Sequence, residues 1–314
     1  MSLLNRFTGK GTPAEEPKNG SFLAFGLLAG AALPEENWLR GELAMPAHSC
    51  RRSGPEKVGQ AVRQLSTRIA ARPPQPDLDQ MNCLLDLLAP IKISDCKTKD
   101  QTMSFNLAGM RNGVEVELGF ATIALMPLPI PGTEVQDACE RSWRWPEAGE
   151  TLRQQTNHWI IAIVNNTTPF QNAALVLRLL GALSSLPAFL GAYIGSAAMV
   201  HSPAFLQAWN EGDTSISRVN YWVNMATVAN DDGTHTFYTI GLRQFNALEI
   251  EIVQCRLSYE ELYKRGRAYA DYVMKAGPVL RHGDSLGATA AEKIPVRHEP
   301  SVYNPEQTVC RIYL

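Results

Sequence analysis

Residues 158–194 read HWIIAIVNNTTPFQNAALVLRLLGALSSLPAFLGAYI and contain the pattern that decides the fold. His158–Val164 is almost entirely apolar and predicts a buried strand. Thr168–Gln171 combines capping-box spacing with proline at the first helical position, and the following helix is apolar nearly all round, so we expect it to be sandwiched. Phe189–Ile194 then returns as a strand. This order of strand, helix and strand indicates a βαβ crossover.

The sequence before and after this stretch adds further strands. Phe22–Leu28 is apolar and predicts a buried strand, and Asn112-Gly113 is typical of a tight hairpin. The alternating prolines of Met126–Pro131 cannot lie in a central strand, so this segment is expected to be an edge or an extended exit. Ile294–Val296 and Val309–Ile312 predict two short strands near the end of the chain.

The region after residue 220 repeats this mixture of strands and helix. Tyr221–Val228 and Thr236–Leu242 flank an Asp-Gly pair and predict a hairpin. Leu248–Val253 alternates as a strand does, and Ser258–Glu261 has the spacing of a capping box at the start of a helix. Gly277 follows the last apolar residue of that helix, as helix C-caps usually do.

These elements predict an α+β (α/β-like) fold, a mixed β-sheet system with helices packed on it and at least one βαβ crossover. Residues 1–20 are polar and are expected to form a mobile N-terminal tail. The proline-rich linker at Pro73–Pro76 is too short for a convincing domain boundary. We therefore expect residues 21–314 to form a single α/β globular unit with one continuous sheet system.

Composition excludes several classes of function. The formal net charge of the 314 residues is −2, so no overall field points to nucleic acid or to a membrane surface. The six cysteines lie far apart without a C-x-x-C pair, which favours reduced thiols and a cytoplasmic protein. Ala173–Val200 is long enough to span a bilayer, but Arg178 lies inside it and Pro187 divides it. A buried helix followed by a buried strand is expected there instead.

One motif suggests a nucleophile. Gly283–Gly287 matches G-x-S-x-G, with Ser285 at the central position. A nucleophile elbow needs a strand before it and a helix after it, whereas here a helix ends at Lys275–Pro278 and no convincing long helix follows. A glycine-rich turn is therefore the favoured interpretation.

Three further residues are candidates for acid–base chemistry. His158, Glu249 and Asp284 could converge on a cleft if their strands are neighbours. The alternative is that His158 is a buried histidine bonded to the backbone. No histidine or cysteine spacing is typical of a zinc site, and no P-loop or G-x-G-x-x-G follows a strand. We expect neither a metal nor a cofactor.

Two groups of residues are candidates for binding a protein partner. Pro55–Ala71 predicts a helix whose exposed face carries Arg63 and Arg68, either as a solvated face or as a site for an acidic protein. Nucleic acid is a weaker interpretation, because no aromatic residues interleave for stacking. Trp143 and Trp145 form the second group, and we expect one of them to be exposed as an interface anchor.

A series of short segments carries a resemblance to a known family. The segments are Met126–Pro131, Trp145-Pro146 followed by His158, Phe189–Gly195, Tyr238–Leu242, Glu249–Glu251 and Gly283–Gly287. They resemble a bacterial family of unknown function, the domain-of-unknown-function family 4261, in the right order over a core of about residues 114–314. Threonine is usual in that family where Ser285 stands, which would weaken a serine nucleophile.

The resemblance implies a shared fold and a bacterial cytoplasmic protein, without an established activity. Relatives of this kind often lie beside toxin genes, so it also implies an immunity or interaction role. Our first hypothesis is a non-enzymatic protein-binding role, specifically an immunity protein that neutralises a cognate bacterial toxin. The alternatives are a hydrolase-like enzyme with a His/carboxylate cleft and a self-associating structural subunit. Neither nucleic acid nor a membrane is an expected partner, and the oligomeric state does not follow from the sequence.

Overall fold

The computed structural model describes residues 21–30, 32–44, 90–111, 113–164, 168–210, 216–287 and 292–314. The backbone divides into two units, one from residue 19 to residue 216 and one that includes residues 217–314. Each unit has its own β-sheet. The mobile tail expected at residues 1–20 lies outside the described residues.

The first unit combines a seven-stranded sheet with five described helices. Its strands follow the order β2-β3-β4-β5-β1-β6-β7, and every neighbouring pair is antiparallel. The elements are β1 (Ser21–Leu28), α1 (Glu36–Ala44), β2 (Lys92–Lys99), β3 (Thr102–Arg111), β4 (Val114–Met126), α2 (Glu134–Glu140), α3 (Ala148–Leu152), β5 (Asn157–Val164), α4 (Pro169–Leu183), β6 (Phe189–Ile194), β7 (Met199–His201) and α5 (Pro203–Asn210).

β5, α4 and β6 form the predicted crossover. β1 lies between the two crossover strands and pairs antiparallel with both, so β5 and β6 run parallel without being neighbours. Helix α4 begins with the predicted capping box, in which the Gln171 N–H donates to Thr168 Oγ1 at 3.4 Å. Every residue from Asn172 to Leu183 is buried. This confirms that α4 is sandwiched, and that the apolar stretch after Ala173 is a helix followed by a strand.

The two faces of the first sheet are covered differently. Successive side chains of a strand point to opposite faces, so Ala24 and Ile161, both fully buried, face the layer of α4. Phe25 and Leu27 point to the other face, where they pack against α2 and α3 together with Tyr193. Strand β4 ends at Met126, and the proline-rich segment that follows lies outside the sheet, as predicted for an extended exit.

The second unit combines a six-stranded sheet, in the order β11-β12-β13-β10-β9-β8, with two described helices. β10 pairs parallel with β13, and the remaining pairs are antiparallel. The elements are α6 (Val219–Trp222), β8 (Asn224–Ala229), β9 (His235–Ile240), β10 (Ile250–Cys255), α7 (Tyr259–Ala276), β11 (Ser285–Leu286), β12 (Ile294–Pro300) and β13 (Thr308–Ile312).

Two expectations about this architecture are wrong. One continuous sheet was expected, but each strand pairs within its own unit and the strands form two sheets. Tyr221 and Trp222 were expected in a strand, but they lie in the helical turn α6 and are both buried. A strand would point these consecutive side chains to opposite faces, whereas a helical turn buries both rings. Whether residues 21–314 fold as one cooperative unit stays a prediction.

In the part of the chain that the structure describes, no helix combines the length and the hydropathy that a membrane crossing requires.

Helix α7 approaches the second sheet closely at one glycine. Leu262, Gly266, Ala270 and Val273 lie on its buried face. A Cβ atom at Gly266 would lie 2.5 Å from ring atoms of Phe237, which is fully buried in β9. The absence of a side chain at this position therefore sets the distance between helix and sheet.

We expect Gly266→Ala to lower the free energy of unfolding by about 2 kcal/mol, because the methyl group overpacks the contact with Phe237. Gly41→Ala is the matched control, since a Cβ at Gly41 in α1 meets nothing within 4 Å. That change should raise the free energy of unfolding by about 0.5 kcal/mol through helix propensity. Urea unfolding followed by circular dichroism measures both, and equal effects of the two substitutions would contradict this account.

Candidate functional site

The candidate catalytic residues are distributed over both sheets. His158 lies in β5 of the first sheet, whose neighbours are β4 and β1. Glu249 and Asp284 belong to the second unit, immediately before β10 and β11. The condition for a shared cleft was that their strands be neighbours, and this condition is not met. Their catalytic roles stay predictions without that support.

His158 anchors the proline-rich segment after β4. Its side chain is buried, and Nδ1 lies 2.8 Å from the carbonyl oxygen of Leu128. Because a carbonyl only accepts, Nδ1 carries the hydrogen and donates. The Phe25 ring lies beside the imidazole, with 6.0 Å between the ring centroids. This matches the alternative interpretation from the sequence, a buried histidine bonded to the backbone.

Glu249 holds the connection between β9 and β10. Its Oε2 accepts a hydrogen bond from Thr239 Oγ1 at 2.6 Å, and its Oε1 accepts from the N–H groups of Gly241 and Arg243 at 2.8 and 3.2 Å. Gly241 has a φ of 120°, in the region that favours glycine. The carboxylate thus satisfies the N–H groups of a tight turn, at the start of the short 3₁₀ helix 242–245.

The G-x-S-x-G segment forms a turn that leads into an edge strand. Asp284 Oδ2 accepts from the Arg281 N–H at 2.7 Å and closes the turn, in which Gly283 has a φ of 90°. Ser285 is exposed and lies in the two-residue strand β11, paired with Pro295. A nucleophile elbow needs a strand immediately before the serine, whereas here a turn precedes Ser285. The predicted glycine-rich turn is therefore confirmed.

Glu251 and Arg311 form a buried ion pair across β10 and β13. Arg311 Nη2 donates to Glu251 Oε2 at 2.9 Å and to the carbonyl oxygen of Pro300 at 2.7 Å. The Ser301 hydroxyl and the Val302 N–H also donate to the Glu251 carboxylate. A buried charge is tolerated when it is paired and hydrogen-bonded in this way. The pair holds the loop after β12 against the sheet.

Metal binding and thiol chemistry find little support in the described part of the chain. No group of three or more His, Cys, Asp or Glu side chains there is arranged to hold a metal ion. The described cysteines Cys96, Cys139, Cys255 and Cys310 are free thiols. Burial, reinforced by the charge of Asp284, raises the pKa of Cys310 to about 12. Cys310 is therefore a protonated and unreactive thiol at neutral pH.

The candidate partner-binding tryptophans differ in exposure. Trp143, in the connection between α2 and α3, is 69% exposed, and the Arg144 guanidinium lies 4.6 Å from its ring centroid. Trp145 is partly buried against the cluster of α2 and α3, and its ring packs so closely on Gly191 that a Cβ there would lie 2.8 Å from it. The expectation that one of the pair is exposed is confirmed. Arg63 and Arg68 lie outside the described residues.

Sequence reasoning missed a second apolar surface, formed by Leu23, Phe120 and Val164. These side chains are 45%, 43% and 48% exposed. Phe120 lies directly opposite Val164, and Leu23 lies opposite Ala162 on the same face, so the three side chains are neighbours across β1, β5 and β4. We call them the open-face patch. A signal was present in β1 and β5, which are apolar in both phases of the alternation, a pattern that we interpreted as a buried strand.

We expect Glu249→Ala to lower the free energy of unfolding by about 3 kcal/mol, because two backbone N–H groups and a hydroxyl lose their acceptor. Glu306→Ala is the control, because Glu306 is exposed and its carboxylate holds no turn. Urea unfolding measures both variants. A Glu249→Ala protein as stable as the control variant would show that the carboxylate is not structural.

Alkaline pH provides a test of the Tyr303 environment. Burial, followed by the neighbouring Tyr238 phenol, raises the pKa of Tyr303 from 10.0 to about 12, and the two ring centroids are 4.8 Å apart. The folded state holds this proton more tightly than the unfolded state, so its stabilising effect is complete below about pH 10 and is lost as pH rises towards 12. The urea midpoint of Tyr303→Phe should therefore fall less steeply over this range than that of the unsubstituted protein. Tyr259→Phe, at an exposed tyrosine, should leave the steepness unchanged, and equal slopes for all three proteins would contradict the assignment.

Comparison with known proteins adds one identification. The family described as Domain of unknown function (DUF4261) matches residues 238–313, from within β9 to just beyond β13. No curated protein and no solved structure matches the chain. Met126–Pro131 and Phe189–Gly195 lie outside the matched range, so the earlier part of the resemblance stays a prediction. For residues 238–313 the resemblance to the DUF4261 family is confirmed.

Proposed function

We propose that this protein binds another protein through the face of the first sheet that α2 and α3 leave partly uncovered. The observation that carries the proposal is the open-face patch. Leu23, Phe120 and Val164 are each more than two-fifths exposed, although they lie on β1, β4 and β5 in the middle of the sheet. A sheet face normally packs against another layer, and a contiguous exposed apolar surface is typical of an interaction site.

Trp143 extends this binding face. Helices α2 and α3 pack on Phe25 and Leu27, which point to the same side of β1 as Leu23. Their connection presents Trp143. At 69% it is the most exposed large apolar side chain in the described part of the chain, and the next, Val114, is 64% exposed. The stacked Arg144 guanidinium restricts the indole. Tryptophan and arginine are the residues most enriched among interface hot spots.

The contacts of the candidate catalytic residues support a non-enzymatic role. His158 donates to a carbonyl, Glu249 accepts from a turn, and Asp284 closes another turn. Each of these contacts stabilises a local backbone conformation. The hydrolase alternative keeps Ser285 as a candidate nucleophile, but no described contact links Ser285 to a base.

The specific form of the proposal is a bacterial, cytoplasmic immunity protein whose partner is a cognate toxin. Its support is the genetic context that the family resemblance implies, together with the binding face described above. An inhibitor of this kind acts by occupying the toxin surface, so it needs an apolar anchor region and no chemistry of its own. The open-face patch and Trp143 supply that region.

We expect Phe120→Thr/Val164→Thr to weaken binding of the partner at least thirtyfold (roughly 2 kcal/mol), because the centre of the interface loses its apolar area. Trp143→Ala should weaken it about tenfold. The partner is first identified by affinity capture from the native host, then produced separately, and the dissociation constants are measured by calorimetry. Val114→Thr is the matched control, because Val114 is also an exposed valine, 64%, but lies at the start of β4, whereas Phe120 lies at its centre.

Each result has a defined meaning. A partner that binds the patch variant and the unsubstituted protein equally well would overturn the proposed binding face. The immunity hypothesis requires more, namely that the partner alone slows cell growth and that the unsubstituted protein, but not the patch variant, relieves this effect. A harmless partner whose binding depends on the patch would support protein binding and overturn the immunity role.

A further inference from the structure

A pocket of about 270 Å³ lies at one end of the first sheet, away from the open-face patch. Four parts of the chain form it: the connection from β1 to α1, the first turn of α1, strand β5 through Trp159, and the connection from α4 to β6. The Ala29 N–H donates to the carbonyl oxygen of Ala188 at 3.0 Å and joins two of these segments. This hydrogen bond lies beside the pocket and holds two of the pocket walls together without a ligand.

The walls of the pocket are apolar and include two indoles. Trp38 projects from α1, and Trp159 projects from β5 on the face opposite to the open-face patch. Leu33, Pro34 and Leu186 complete much of the remaining surface. Trp159 Nε1 donates to the carbonyl oxygen of Ala32 at 2.9 Å, so the only polar atom of this indole is engaged.

One charged side chain borders this apolar space. Glu35 is the only charged residue among the described residues that line the pocket, and it is exposed. The nearest described cation along the helix, Arg40, is committed elsewhere, since it donates to the Glu36 carboxylate and to the carbonyl oxygen of Ile93. The pocket therefore combines aromatic and aliphatic walls with negative charge at its edge.

We propose that this pocket binds a small organic cation, an amine or guanidine carried on a short apolar chain or ring. The apolar part of such a molecule is buried among the leucine, proline and indole surfaces. Its positive group is attracted to the exposed Glu35 carboxylate and to the indole of Trp38, which is partly exposed, whereas Trp159 is only 2% exposed and contributes apolar wall. The volume lies at the lower limit of ligand sites, so the molecule is small. This inference is independent of the proposed protein-binding function, which uses the other face of the sheet.

The direct test is calorimetric titration of the full-length protein with three probes that share one ring. Phenethylamine carries a positive charge, 2-phenylethanol is neutral, and 3-phenylpropanoate is negative. We expect the amine to bind at least about tenfold more tightly than the alcohol, and the carboxylate to bind most weakly, because Glu35 attracts the first and repels the last. Equal binding of the three probes, or no binding of the amine, would overturn the proposal.

Two variants locate the site. Glu35→Gln should weaken phenethylamine binding about tenfold, whereas Glu42→Gln, in the adjoining helix α1 but outside the pocket lining, should leave it unchanged. Ala188→Trp should abolish binding by filling the pocket, and Ala188 is exposed, so the larger side chain does not disturb the core. Circular dichroism verifies that each variant is folded. Undiminished binding to Ala188→Trp would show that the amine binds elsewhere and would overturn the assignment.

Discussion

The pairing of β1 with β5 runs over eight residue pairs, from Ser21 opposite Val164 to Leu28 opposite Asn157, and the first unit depends on it. β5 and β6 are joined by a crossover that leaves room for one strand between them, and β1 fills that space. Without β1, both crossover strands would expose unpaired backbone groups in the middle of the sheet. The same pairing brings Trp159 to one face and Phe25 and Leu27 to the other. The pocket and the layer of α2 and α3 therefore both follow from the position of this strand.

The second unit depends on buried carboxylates instead. Glu249 satisfies the turn before β10, and Glu251 joins Arg311 to the loop after β12. A buried charge is costly unless every partner is in place, so these groups select one arrangement of the loops around the sheet. Both carboxylates lie within the range that matches the DUF4261 family. These two carboxylates thus serve the architecture, and the surfaces that we associate with function lie in the other unit.

The two candidate surfaces of the first unit arise from incomplete coverage by helices. On one face α2 and α3 are short, so they cover Phe25 and Leu27 but leave Leu23 exposed. On the other face α4 covers the strand centres, while the pocket opens where the connections at the strand ends diverge. Apolar surface that a protein leaves uncovered lowers its own solubility, and it is therefore most readily explained by a partner or a ligand.

The sequence by itself determined the local elements. Capping boxes, alternation and turn signals predicted the crossover, both hairpins and α7, because these patterns depend on residues close together in the chain. The resemblance also identified the family of residues 238–313. Only the tertiary structure decided that β1 lies between β5 and β6, that the strands form two sheets, and that His158 and Glu249 belong to different ones. It also decided which apolar residues of β1, β4 and β5 are exposed. The order of the strands and the coverage of the sheet by helices depend on contacts between residues that are distant in the chain. The identity of an apolar residue does not show whether a helix covers it.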